Sequence, residues 1–91
     1  MKKLRLIYIE WADAIRNSNW MLGSEAKDWG KISNWIVRET GWLIEENEEY
    51  IILAMGHKPA DETTDEQFNN LIKIPKPWIK RRVDLTKFYE T

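Results

Sequence analysis

Apolar and polar residues alternate over several short stretches of the chain, and this spacing is typical of β-strands. Residues 4–11 alternate in this way and carry the β-branched and aromatic side chains that favour a strand. Residues 32–46 and 50–55 predict two more strands. Asn47, which tolerates a positive φ, predicts a tight hairpin between them. Gly41, inside the second strand, predicts a bulge or a sharp bend.

The alternation stops over residues 12–31, which predicts a long structured connection after the first strand. Residues 17–19, Asn-Ser-Asn, form a turn cluster within it. Ser24 is placed to cap a short helix that runs through Trp29 and ends at Gly30. A connection of this length is uncommon in a small domain and often has a function of its own.

Residues 57–70 form a second connection, which is polar and acidic. Within it, Thr64 and Gln67 have the spacing of a capping box and predict a single helical turn. This connection separates the central hairpin from the last part of the chain.

The last part of the chain predicts two further strands and a turn. Residues 71–74 form a short strand that is ended by prolines, and a 3-10 turn follows at Trp78. The final strand covers residues 80–85, and a short tail covers residues 86–91. The whole pattern predicts an all-β fold with small helical content, built as one small domain over residues 1–91.

Composition narrows the class of protein. The 91 residues include no cysteine, which excludes disulfides, thiolate catalysis and cysteine-based zinc sites. No apolar run approaches the roughly 18 residues needed to span a bilayer. The basic start of the chain is followed by Arg5 and Glu10, unlike a signal peptide. We therefore expect a cytoplasmic protein without a membrane partner.

The segment Ile74-Pro75-Lys76-Pro77-Trp78-Ile79 resembles the turn before the last strand of Src-homology-3-like small β-barrels. That turn has the pattern Ile-Pro-x-x-aromatic-aliphatic. Tyr8 and Trp11 fall roughly where that family carries aromatic residues near its N-terminus. The resemblance implies a five-stranded small barrel with a long first loop and a 3-10 turn before its last strand.

The order of motifs also resembles small uncharacterised proteins encoded by phages and prophages. The early motif contains Glu10, Trp11 and Asp13, and a Gly-Trp-Leu-Ile hairpin follows at residues 41–44. The segment at residues 74–79 completes the order. The resemblance implies a phage source and no activity, because a shared fold does not fix a function. With such a source, the host cytoplasm is the expected location and interference with a host process is the natural context.

The sequence predicts no enzyme and no cofactor. No nucleophile elbow, phosphate-binding loop or dinucleotide fingerprint is present, and the four glycines are scattered. His57 is the only imidazole, which excludes catalysis by a histidine pair and sites with several histidines. The carboxylates around the hairpin turn lack the pattern of a calcium loop, so we expect no metal site. They are Glu45, Glu46, Glu48 and Glu49.

Charge is distributed unevenly although the net charge is only −1. Residues 39–66 carry nine acidic and one basic side chain, whereas residues 67–91 carry six basic and two acidic ones. A basic cluster lies around Trp78 and consists of Lys76, Lys80, Arg81 and Arg82. Cations beside an aromatic ring can grip a phosphate and stack a base. Alternatively, they discourage aggregation at an edge strand.

Six tryptophans exceed what so small a core explains. Their positions predict that Trp35 and Trp42 are core residues. The others lie at strand ends or in loops, where tryptophan is enriched at binding sites; they are Trp11, Trp20, Trp29 and Trp78. Packing beneath the long first connection is the alternative for some of these four.

We therefore expect a non-enzymatic binding protein, with three kinds of partner open. The first is a small nucleotide-like or phosphorylated host signal, captured in a site that two protomers of a homo-oligomer share. Its predicted ligand-binding residues are Trp11, Asp13, Trp20, Trp78, Lys80, Arg81 and Arg82. The second is a host protein inhibited through the aromatic residues and the acidic residues 45–66. The third is single-stranded nucleic acid, which the low net charge disfavours, and a virion or assembly role also stays open.

Overall fold

A computed structural model describes residues 4–32 and 34–89 of the chain. The strands are β1 (Leu6–Ala12), β2 (Ile36–Glu46), β3 (Tyr50–Lys58), β4 (Gln67–Pro75) and β5 (Ile79–Asp84). The helices are α1 (Gly23–Ile32) and α2 (Thr86–Tyr89), and a 3-10 turn covers Lys76–Trp78. All strand pairs are antiparallel, and the five strands form one sheet in the order β4-β3-β2-β1-β5.

The prediction of a mostly β fold with five strands and a 3-10 turn before the last strand is confirmed. Closure of the sheet into a barrel is not observed, because β4 and β5 are its two edges and do not pair with each other in the described part of the chain. The fold is therefore an open, curved antiparallel sheet with small helices.

The core lies on the inward face of this curved sheet. Ile7, Ile9 and Trp11 alternate along β1 and are buried, because residues two apart in a strand share a face. Among the described residues, the buried apolar side chains are those of Ile7, Ile9, Trp11, Ile51, Leu53, Ala54 and Ile74. Each large aliphatic side chain in it stabilises the fold by roughly 1.5–3 kcal/mol through its removal from water.

Only three residues connect the two edge strands. β4 ends at Pro75 and β5 begins at Ile79, so opposite edges of the sheet meet across the 3-10 turn. A connection of three residues holds the end of β4 and the start of β5 on the order of 10 Å apart at this corner. The sheet must therefore curl, and Ile74 and Ile79 pack into the same core.

Gly41 lies where two strands approach each other closely. It is buried and pairs with Ile7 of β1. A Cβ at this position would lie 2.9 Å from the Ala54 carbonyl oxygen and 3.0 Å from the Leu53 Cβ. The predicted bulge is displaced, because the register shift of β2 against β3 falls at Ile44. Gly41 is needed for close packing and is not the bulge itself.

The hairpin between β2 and β3 depends on the side chain of Asn47 and not on a positive φ. The Asn47 Oδ1 accepts hydrogen bonds from the backbone N–H of Glu49 at 2.9 Å and of Tyr50 at 3.0 Å. Among the described residues other than glycine, Asn70 has a positive φ and Asn47 does not. The hairpin prediction is confirmed, whereas its predicted mechanism is wrong.

The acidic connection is shorter than predicted, because strand pairing extends into it from both sides. His57 pairs with Phe68, and Lys58 pairs with Gln67, so that β4 begins four residues before residue 71. The predicted capping box does not form a helical turn. The Asp61 Oδ1 instead accepts backbone hydrogen bonds from residues 63 and 64 at 2.8 Å each. Cross-strand pairing overrides the local helix signal here.

Other boundaries differ by a few residues from the predicted ones. β2 begins at Ile36, and Ser33 of the predicted strand lies outside the described residues. Helix α1 continues through Gly30 to Ile32, so Gly30 does not end it. The predicted tail begins with the short helix α2, while residues 90–91 are outside the described part.

Residues 14–32, which include α1, form an arm that projects from the sheet. Nearly every side chain described from residue 14 to residue 31 is exposed, apart from the half-buried Asn17 and Trp29. The radius of gyration is 17.8 Å, whereas a compact chain of this length has about 12 Å. Within the described residues, the elements that pack extensively against each other are neighbouring strands. The sheet, and not the arm, therefore stabilises the fold.

We predict that Gly41→Ala lowers the free energy of unfolding by about 1–3 kcal/mol, because the new Cβ meets backbone that cannot move freely. Urea denaturation measures this difference. Gly30→Ala is the matched control, since nothing lies within 4 Å of its Cβ position and alanine favours the helix. Equal stability of the wild type and Gly41→Ala would contradict the close approach of β2 and β3.

Candidate docking surface

Trp11 and Trp78 stack at the end of β1. Trp11 is the last inward-facing residue of β1, and Trp78 is the last residue of the 3-10 turn. Their ring centroids are 6.2 Å apart, with 15° between the planes. Trp11 is 8% exposed and Trp78 is 43% exposed, so Trp78 covers Trp11 and keeps part of its own ring in solvent.

The prediction that Trp11 lies outside the core is wrong, because Trp11 continues the inward alternation of Ile7 and Ile9. Its indole N–H is buried and has no hydrogen-bond acceptor among the described residues. Leaving such a donor unpaired costs roughly 1–3 kcal/mol. The stack is therefore held by contact between the rings and their apolar surroundings, not by hydrogen bonding.

Two more tryptophans are exposed around the arm. Trp35 is 53% exposed and lies at the arm's return to the sheet, where its carbonyl accepts a hydrogen bond of 2.8 Å from the Asp13 N–H. Trp20 lies within the arm and is fully exposed. The prediction of Trp35 as a core residue is wrong, because it precedes the first paired residue of β2. We call Trp20, Trp35 and Trp78, which share their exposure to solvent, the aromatic surface.

The remaining two tryptophans are half-buried. Trp42 lies on the outer face of the sheet, with its ring 5.5 Å from that of His57 and 5.1 Å from that of Tyr89. Trp29 lies on α1. His57 stacks on Phe68 and its Nε2 lies 2.8 Å from the Glu66 carboxylate. The rings of Trp42, Tyr89, His57 and Phe68 thus form a packed row that is separate from the Trp11–Trp78 stack.

The basic cluster of β5 is divided between the two faces of the sheet. Arg82 donates two hydrogen bonds to the Glu46 carboxylate, at 2.7 and 3.0 Å, and the Lys76 Nζ lies 2.9 Å from it. Arg81 lies instead beside Glu10 on the outer face, at 3.8 Å. Because successive strand residues point to opposite faces, Arg81 and Arg82 do not converge on one ligand.

The predicted ligand-binding residues are only partly brought together. Trp11 and Trp78 stack on the inward side, whereas Arg81 is on the outer face and Arg82 is held by Glu46. Lys80 is exposed at the register shift between β5 and β1. Three surface cavities of about 560, 530 and 320 Å³ form elsewhere, and none of these three is lined by Trp78 or by these arginines.

Glu46, the last residue of β2, contacts Lys76 in the 3-10 turn and Arg82 in β5. Hydrogen bonds from Arg82, which has the larger effect, and from Lys76 lower the pKa of Glu46 from 4.5 to about 2. The sequence does not indicate this contact, because Arg82 lies 36 residues away and only the curl of the sheet brings it close. Arg82 and Lys76 therefore act in the structure of the domain.

A polar group on the outer face was not predicted from the sequence. The Tyr8 hydroxyl donates a hydrogen bond of 2.5 Å to Glu10, which raises the pKa of Tyr8. Arg38 and Arg81 flank the same carboxylate from the neighbouring strands, because both lie opposite Glu10 in the register. Strand alternation predicts that residues 8 and 10 lie on one face. The position of Arg38 opposite Glu10 depends on the register between two strands, which the sequence alone does not give.

Within residues 4–32 and 34–89, no three His, Cys, Asp or Glu side chains are placed to hold a metal ion. No helix of these residues is long and apolar enough to cross a membrane. Comparison of the chain with protein-family models, with curated proteins and with solved structures gives no match.

We predict that Glu46→Gln lowers the free energy of unfolding by roughly 1 kcal/mol at pH 7, a value limited by solvent screening of the partly exposed carboxylate. The folded-state pKa is below the unfolded one, so this stabilisation is present above about pH 4.5 and is lost as the pH falls through about 2. Urea denaturation over this pH range measures the difference.

Glu48→Gln, an exposed carboxylate of the same hairpin, is the matched control and should change the stability little. A Glu46→Gln effect that stays constant down to pH 2 would contradict the charged contact with Arg82.

Proposed function

We propose that this chain is a non-enzymatic protein-binding domain whose partner docks on the aromatic surface. The observation that carries the proposal is the exposure of Trp20, Trp35 and Trp78. Tryptophan dominates the centres of protein interfaces, since it buries a large apolar area with few rotatable bonds. Because these three side chains lie largely in solvent, the packing of the domain does not account for them.

The accessible surface supports docking of a macromolecule. The chain exposes 7398 Å², whereas a compact monomer of 10.9 kDa exposes about 5,600 Å². The excess exceeds the roughly 800 Å² that each partner contributes to a standard interface. Exposed apolar side chains of the arm add to it, namely Ile15, Met21 and Leu22.

Protein docking is supported better than capture of a nucleotide on the predicted residues. Such a ligand would stack its base on Trp78 while its phosphates met Arg81 or Arg82. Arg81 is on the outer face, and Arg82 would have to leave Glu46. A protein partner needs neither rearrangement, because it can use the aromatic surface alone.

We also propose that the domain is Src-homology-3-like and that a phage encodes it. The strand order and the 3-10 turn between the edge strands support a Src-homology-3-like arrangement, although the sheet stays open. A phage-encoded protein acting in the host cytoplasm would use such a domain to bind a host protein and block its interactions. The inhibited partner would then be a host protein, and no catalytic step is required.

We predict that Trp20→Ala and Trp35→Ala each weaken partner retention at least about tenfold, as truncation of a central tryptophan does at interfaces. The immobilised chain is incubated with lysate of the natural host cell, and retained polypeptides are quantified by mass spectrometry. Trp78 is left intact, because its stack on Trp11 contributes to the fold.

Phe88→Ala is the matched control, since Phe88 is 70% exposed on α2 and lies outside the aromatic surface. It should retain the same polypeptides as the wild type. Equal retention by Trp20→Ala, Trp35→Ala and the wild type would refute docking on this surface. A thermal shift with nucleotides in place of any retained polypeptide would favour ligand capture instead.

A further inference from the structure

We propose that Arg38 and Arg81 form a binding site for a phosphoryl group on the outer face of the sheet. The two side chains come from β2 and β5, and β1, which lies between these two strands, carries Glu10. This site lies on the face opposite the Trp11–Trp78 stack, and it does not depend on the proposed docking surface.

The two guanidinium groups are close enough to bind one small oxyanion. The Arg38 Nε lies 3.7 Å, and the Arg81 Nη1 3.8 Å, from the same oxygen of Glu10. The two nitrogens are therefore no more than 7.5 Å apart. Within that limit, one phosphoryl group can accept a charge-assisted hydrogen bond of about 2.8 Å from each of the two guanidinium groups.

The donors of both arginines are available. Distances of 3.7 and 3.8 Å to Glu10 are too long for hydrogen bonds, and neither guanidinium makes one within the part of the chain that the structure describes. The side chains of Arg38 and Arg81 are 77% and 63% exposed, whereas that of Glu10 is 21% exposed. An anion can thus approach the two forks from solvent, above the carboxylate.

The group of Arg38, Arg81 and Glu10 carries one net positive charge, because two arginines share one carboxylate. The Tyr8 hydroxyl donates to Glu10 and holds it between the strands, which keeps the two guanidinium groups near each other. A guanidinium fork binds two oxygens at once. A phosphoryl group, with three terminal oxygens, can serve both forks, whereas a carboxylate has only two oxygens.

The phosphoryl group can come from a free anion or from a phosphorylated polypeptide. Isothermal titration calorimetry with pyrophosphate tests the first source, and a phosphotyrosine peptide tests the second, with its unphosphorylated form as the blank. We expect at least one phosphorylated probe to bind and the blank to give no heat. The probe that binds identifies the source.

Arg38→Lys keeps the charge and removes the fork, so we expect it to weaken the binding of that probe about tenfold. Lys87→Gln is the control, since it removes an exposed cation from α2 and should leave the affinity unchanged. Arg38 is mostly exposed, so both variants should keep the wild-type stability in urea.

Two results would overturn the proposal: neither phosphorylated probe binds the wild type, or Lys87→Gln weakens binding as much as Arg38→Lys. The second result would mean that overall charge and not the arginine pair attracts the anion. Loss of partner retention in the tryptophan variants, with unchanged probe binding, would separate this site from the docking surface.

Discussion

The short connection between the two edge strands is the constraint on which the rest of the structure depends. β4 and β5 lie at opposite edges of the sheet, yet only Lys76–Trp78 separate them. This forces the sheet to curl until Ile74 and Ile79 reach one core. The turn is fixed at both ends, because the Lys76 N–H donates to the Glu49 carbonyl at 2.9 Å and Trp78 stacks on Trp11.

The curl also decides which charged residues are structural and which are free for binding. Glu46 at the end of β2 reaches Lys76 in the turn and Arg82 in β5, so these two cations hold the edges of the curved sheet. The next residue back, Arg81, faces outward. One segment of consecutive cations thus supplies a structural contact on one face and an exposed guanidinium on the other.

Local patterns predicted the elements well where side chains alternate, as in β1 and the central hairpin. They failed where pairing between distant segments decides the outcome. Trp11 belongs to the core because it continues the alternation of Ile7 and Ile9, whereas Trp35 precedes its strand and is exposed. Residues 67–70 belong to the predicted polar connection, and Gln67 to its predicted capping box, but they join β4, because β3 offers them hydrogen bonds. The outer arginine pair depends on the register of three strands, which no single segment contains.

We infer that the curved sheet is stable without the arm, which leaves the arm free for a partner. The arm's ends are adjacent, since the Asp13 N–H donates to the Trp35 carbonyl at 2.8 Å. A short glycine-containing turn can therefore replace residues 14–34. The decisive measurement is the free energy of unfolding of this shortened chain in urea. We predict a value equal to or above that of the full chain, because the arm packs little against the sheet and a shorter connection costs less closure entropy. A loss of several kcal/mol, or failure to fold, would show that the arm belongs to the core and contradict its role in docking.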